Sequence, residues 1–117
     1  DFDLVYVHIE APDEAGHMGS VEEKIKAIEQ IDEKVVGPLL DGLPALGPYV
    51  FFISSDHATP PAIGTHSPDA VPFALASSAE LAAGSAPLKY GEAEALRGTD
   101  RIESGYTVIE QILRHGG

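Results

Sequence analysis

Five side chains in three short motifs have the chemistry of divalent-cation ligands: Asp13 with His17 four residues later, the adjacent pair Asp56 and His57, and His66. Carboxylate oxygen combined with imidazole nitrogen suits Mn²⁺, Mg²⁺ or Zn²⁺. The sequence has no cysteine, so thiolate ligands and disulfides are excluded. Two such ions held about 3.5 to 4 Å apart polarise a phosphoryl group and activate a nucleophile together. Asp13, His17 and His66 suffice for one ion. Asp56 and His57 supply only part of a second, which calls for a further carboxylate and a nucleophile.

Each motif also has a plainer origin, since an Asp after a strand commonly caps the next turn and a lone loop His is commonly solvated. Joint placement gives the set its weight. Of the five histidines, His8 reads as a packed strand residue on the face of Tyr6 and Glu10, and His115 as a partner for the last carbonyls of a helix. Glu14 reads as a solvated loop acid. Ser54, Ser55 and Thr59 flank Asp56, but no pattern sets a base beside them as a nucleophile would need. Lys24, Lys26 and Lys34 read as solvated helix charges, so substrate contacts must come from elsewhere.

The elements that must position these residues are legible as apolar runs. Leu4 to Ile9 is nearly unbroken, as suits a strand covered on both faces in a parallel sheet, and Pro12 closes it. Ser20 with Glu23 predicts a capping box and a helix whose apolar row Val21, Ile25, Ile28, Val35 and Leu39 faces the sheet. Gly37-Pro38 should break or bend that helix, with a Gly- and Pro-rich connection from Asp41 to Pro48. Tyr49 to Ser54 and Val71 to Ala76 are further strand candidates. The stretch from 77 to 100 offers no clear element beyond an extra strand pair. Gly105 to Arg114 predicts a final helix with Ser104 as cap and Gly116 at its end. The order strand, helix, strand, loop, strand, helix predicts a layered α/β sheet with right-handed crossovers, read as one domain over 1–117. In such sheets ligands gather outside the carboxyl ends of strands, where both Asp motifs fall.

At 117 residues and 44% hydrophobic composition, the chain can bury a core. No apolar run reaches the length of a membrane span, and the sequence is expected to be soluble and cytoplasmic. Nineteen acidic against seven basic side chains give a net charge of −12, which repels nucleic acid and anionic membranes. A phosphorylated metabolite would be repelled too, unless bound cations reverse the local sign.

The motifs Ala-Pro-Asp-Glu-Ala-Gly-His, Ser-Asp-His-Ala-Thr-Pro and Thr-His-Ser-Pro-Asp-Ala-Val-Pro-Phe, with the helix Lys24 to Asp32 between the first two, occur in that order within residues 1 to about 76. Together they resemble the archaeal-type cofactor-independent phosphoglycerate mutases of the alkaline phosphatase superfamily. The resemblance implies a three-layer α/β/α sandwich, of which this chain would hold the carboxyl-terminal part of the sheet. It implies one metal on Asp13, His17 and His66 and a second on Asp56 and His57, with manganese expected and magnesium, zinc or cobalt as alternatives. It further implies 3-phosphoglycerate and 2-phosphoglycerate as substrates in glycolysis, interconverted through a phosphoserine. The family's nucleophilic Ser and a further Asp would precede Asp1, so this piece should be inactive without that amino-terminal segment. Mutase turnover by the purified chain with Mn²⁺ would refute that expectation. Competing readings are another phosphotransferase or phosphohydrolase of the superfamily, told apart by whether the nucleophile is Ser, Thr or Cys, and a noncatalytic metal-stabilised domain, which would bind metal tightly by itself.

Overall fold

Pro12 fits the first turn of a helix because its missing N–H is unpaired there anyway, and the segment it opens is helical: α1 runs from Ala11 to His17. A computed structural model describes residues 2–84 and 89–115. Residues 2 to 10 precede α1 as an exposed segment without strand pairing, which corrects the strand expected over Leu4 to Ile9. A strand exists through its neighbour's hydrogen bonds, and no described residue pairs with this run. His8 shares a side with Tyr6 and Glu10, stacking on the ring of Tyr6 with centroids 6.3 Å apart and lying 3.8 Å from Glu10. It is exposed rather than packed.

Gly19, at φ 70°, reverses the chain after α1, and Ser20 caps α2 (Val21–Ile31) by accepting the Glu23 amide at 3.2 Å. α2 packs on α1, whereas Val21, Ile25 and Ile28 stay half or more exposed, so the apolar row is not covered as expected. Gly37-Pro38 does not end the helical path. A π-helical turn at Asp32–Val36 leads into α3 (Gly37–Gly42), and a 3₁₀ turn covers Leu43–Leu46, where a plain connection was expected. In the π turn the Gly37 amide donates to the Asp32 carbonyl five residues back, and the helical path runs on through Pro38.

The described residues form two compact units: residues 1–38 with 57–69, and residues 39–56 with 70–117. In the second, β1 (Val50–Ser54) pairs with β2 (Phe73–Ser77) in an antiparallel ladder, with Phe52 opposite Leu75. The connection carries no crossover helix, without which the chain returns antiparallel. The Phe52 and Phe73 rings stack with centroids 6.0 Å apart. From 77 to 100 the structure has helices where an extra strand pair was considered: α4 (Ser78–Ala83) and α5 (Glu92–Arg97). Pro87 and Gly116 lie outside the described residues. After a 3₁₀ turn at Gly105–Thr107, α6 (Val108–His115) packs on both strands.

Ser77 and Glu80 close a reciprocal capping box at the start of α4, and His115 Nε2 lies 2.7 Å from Glu80 Oε2. His115 thus reaches another helix rather than the carbonyls of its own. The Ser77 amide foremost, with His115 and the Ser77 hydroxyl, holds the Glu80 carboxyl down at about 2. A depressed folded-state value stabilises the fold above the ordinary carboxylate value and loses that contribution as pH falls toward the folded one. Glu80→Gln should therefore lower Tm at pH 7, and the gap should shrink as pH drops from 4.5 toward 2. Melting curves of both proteins across that range check it; a gap independent of pH would contradict it.

Candidate metal centre

The i,i+4 spacing of Asp13 and His17 puts both side chains on one face of α1, with His17 Nε2 3.3 Å from Asp13 Oδ2. A helix, rather than the strand-end loop expected, supplies this pair. His17 Nδ1 lies 3.0 Å from the Gly64 carbonyl. A carbonyl only accepts, so Nδ1 donates to it and Nε2 is the ring atom that faces Asp13. Orientation of this kind, through the far ring nitrogen, is the usual support of a metal-bound imidazole.

The segment 57–69 folds against this face. Pro60 accepts from the amides of Ile63 and Gly64, and Gly64 at φ 65° lets the chain turn back. A single antiparallel bridge then ties Ala58 to Ser67, through a Ser67 amide bond of 3.0 Å. That bridge brings His66 back beside His57, with rings stacked 3.6 Å apart. His66 Nε2 comes to 3.2 Å from His17 Nε2 and 3.3 Å from Asp13 Oδ1. His57 Nδ1 lies 3.9 Å from Asp13 Oδ1, and Asp13, His57 and His66 each offer a donor atom within 4.8 Å of the others.

Those spacings can be compared with what a cation needs. Ligand bonds of about 2.0 to 2.2 Å put neighbouring donors about 2.9 to 3.1 Å apart in an octahedral shell and about 3.3 to 3.6 Å apart in a tetrahedral one. The contacts of 3.2 to 3.3 Å, made by His17 with Asp13 Oδ2, by His66 with Asp13 Oδ1 and by the two imidazoles with each other, fall between these limits. The donor set fits a divalent ion.

Thr59 is the buried centre of the segment, with 3% of its surface exposed. Its hydroxyl donates to Asp13 Oδ1 at 2.5 Å and lies 3.2 Å from His57 Nδ1, while its carbonyl accepts from Lys24 Nζ at 2.6 Å. Lys24 is therefore a structural tie from α2 rather than a solvated charge. The Thr59 hydrogen bond, more than the nearby imidazoles, holds the Asp13 carboxyl below its usual range, against the opposing effect of burial. The carboxylate is ionised and ready to ligate.

The structure thus gathers Asp13, His17, His57 and His66 in the first unit. Asp56 belongs to the second, in the bend after β1. Glu14 is exposed on α1. The Ser54 hydroxyl lies 2.8 Å from the Ser55 carbonyl and 3.3 Å from that of Pro72, with one proton to give. Thr59, weighed in the sequence only as a nucleophile, instead hydrogen-bonds Asp13 and lies beside His57. Its position two residues after His57 was a usable signal.

The comparisons with known proteins agree with this chemistry. A family model described as Metalloenzyme superfamily matches residues 1–100. The chain belongs to that superfamily. Its alkaline-phosphatase-like α/β class accords with a part-fold of helices and one strand pair, and the superfamily is one of divalent-metal proteins. Among similar proteins of known name, a probable 2,3-bisphosphoglycerate-independent phosphoglycerate mutase of Geobacter sulfurreducens is 41% identical over 95% of this chain and 28% of its own length. The mutase of that name from Methanothrix thermoacetophila is 58% identical over 65% of this chain and 20% of its own. That of Aeropyrum pernix is 46% identical over 95% and 26%. This superfamily member therefore spans under a third of these relatives' lengths. No solved structure matches it.

Gly16 is what lets the segment 57–69 approach α1 so closely. A Cβ there would overlap the Thr59 carbonyl oxygen and stand 2.9 Å from Thr59 Cγ2. Backbone cannot swing aside as a side chain can, so Thr59 and with it Asp13 must shift. Gly16→Ala should cost about 1 to 3 kcal/mol and weaken Mn²⁺ binding. Gly42→Ala, whose Cβ meets nothing within 4 Å, should leave both unchanged. Thermal melts and Mn²⁺ titrations of the two variants check this; equal behaviour would contradict it.

Proposed function

We propose that this chain is the metal-binding carboxyl-terminal part of a 2,3-bisphosphoglycerate-independent phosphoglycerate mutase, interconverting 3-phosphoglycerate and 2-phosphoglycerate. The observation that carries the reading is the meeting of Asp13, His17 and His66 donor atoms at 3.2 to 3.3 Å. The names of relatives 41% to 58% identical support the reaction. Asp13, His17 and His66 hold one divalent ion in this reading, with manganese as the preferred metal, and Asp56 and His57 contribute to a second. Bound there, the ions supply positive charge that stabilises the transferring phosphoryl oxygens and an alkoxide nucleophile.

The chain's own residues then have separate roles. Asp13 brings a carboxylate already ionised by the hydrogen bond from Thr59. His17 presents Nε2 because Gly64 holds the Nδ1 proton. His66 is carried in by the Ala58 to Ser67 bridge. The nucleophilic Ser, the phosphoserine formed on it and the clamp for the substrate carboxylate belong to other parts of the whole protein.

The test is made on the full-length protein encoded by the gene. It should interconvert the two phosphoglycerates, lose activity on EDTA treatment and regain it with Mn²⁺. His17→Ala and His66→Ala should each lower Mn²⁺ affinity by about 100-fold or more. Turnover that survives metal removal, or metal affinity untouched by both substitutions, would overturn the reading.

A further inference from the structure

Thr59 has one hydroxyl proton and two neighbours that could claim it, Asp13 Oδ1 at 2.5 Å and His57 Nδ1 at 3.2 Å. An ionised carboxylate only accepts hydrogen bonds, so the proton goes to Asp13. What remains on Oγ1 toward His57 is a lone pair. One buried hydroxyl thus holds the rotation of the Asp13 carboxylate and lies beside the His57 ring. The Thr59 backbone is held in turn, by Lys24 Nζ on its carbonyl at 2.6 Å and by the close approach of Gly16.

We propose that Thr59 is a positioning residue for the metal ligands, its hydroxyl fixing the Asp13 carboxylate before any ion arrives. The proposal rests on the metal-site reading above and adds to it a residue that ligates nothing. In the orientation this bond fixes, Asp13 Oδ2 faces His17 Nε2 and Oδ1 faces His66 Nε2, each at 3.3 Å. Ordering the ligands in advance removes part of the entropy that binding would otherwise cost. Supports of this kind are worth about 10- to 100-fold in metal affinity.

The experiment compares the 117-residue chain with Thr59→Val, which keeps the side chain's shape without the hydroxyl, and Thr59→Ser, which keeps the hydroxyl. Asp13→Ala serves as the ligand control. Mn²⁺ affinity is measured by titration, and the fold of each variant by its melting curve. Thr59→Val should lose about 10- to 100-fold in affinity, and Thr59→Ser should stay within a few-fold of the unsubstituted chain. Affinity unchanged in a folded Thr59→Val, or a loss in Thr59→Ser as large as about 10-fold, overturns the proposal. Thr59→Ser, the milder change, decides the matter where Thr59→Val fails to fold. If Asp13→Ala binds Mn²⁺ as the unsubstituted chain does, the metal-site reading itself fails. If Asp13→Ala is weak and Thr59→Val is not, only the role of Thr59 falls.

Discussion

The hydrogen bond from the Thr59 hydroxyl to Asp13 joins a seven-residue helix to a loop more than forty positions away, and the cluster depends on it. Neither piece would hold its shape well by itself, since a helix of two turns is marginal in water and the loop has a single bridge. The bond is charge-assisted, and such bonds are about twice as strong as neutral ones. Gly16 and Lys24 serve the same junction, one by leaving room and the other by holding the Thr59 carbonyl. Once the junction is made, the Ala58 to Ser67 bridge and the turn at Gly64 leave His66 only one place to go.

The charge of the chain gives this arrangement its consequence. A net charge of −12, to which the ionised Asp13 of the cluster contributes, makes an anionic substrate unwelcome. Divalent cations resolve the conflict, because they are drawn by the same field and reverse its sign where they sit. Imidazole nitrogens suit that purpose, being neutral donors that bring no further negative charge. No described helix is long and apolar enough to cross a membrane.

The ligand types could be read from the sequence because Asp-xxx-His, Asp-His and a following His are local patterns whose chemistry does not depend on the fold. Ser20 as a helix cap was legible for the same reason, its acceptor lying three residues away. What escaped was set by partners distant in sequence. Leu4 to Ile9 has a strand former's composition, but a strand needs a neighbour, and the described residues supply none. The direction of β2 relative to β1 followed from what the connection lacks, a crossover helix, rather than from any residue in the strands. Lys24 and Thr59 looked like a solvated charge and a stray hydroxyl until the loop folded onto α1 and made them partners. Asp13 and His17 were expected beyond a strand, whereas the helical spacing of α1 is what aligns them.

The central claim is that Asp13, His17 and His66 converge on one divalent cation. X-ray absorption spectroscopy of the chain loaded with one equivalent of Mn²⁺ tests this most directly, because imidazole rings bound to a metal give a distinctive multiple-scattering pattern. The account predicts two imidazoles and at least one carboxylate oxygen in the first shell, with one imidazole lost in His17→Ala and one in His66→Ala. A shell of oxygen alone, unchanged by either substitution, would contradict it.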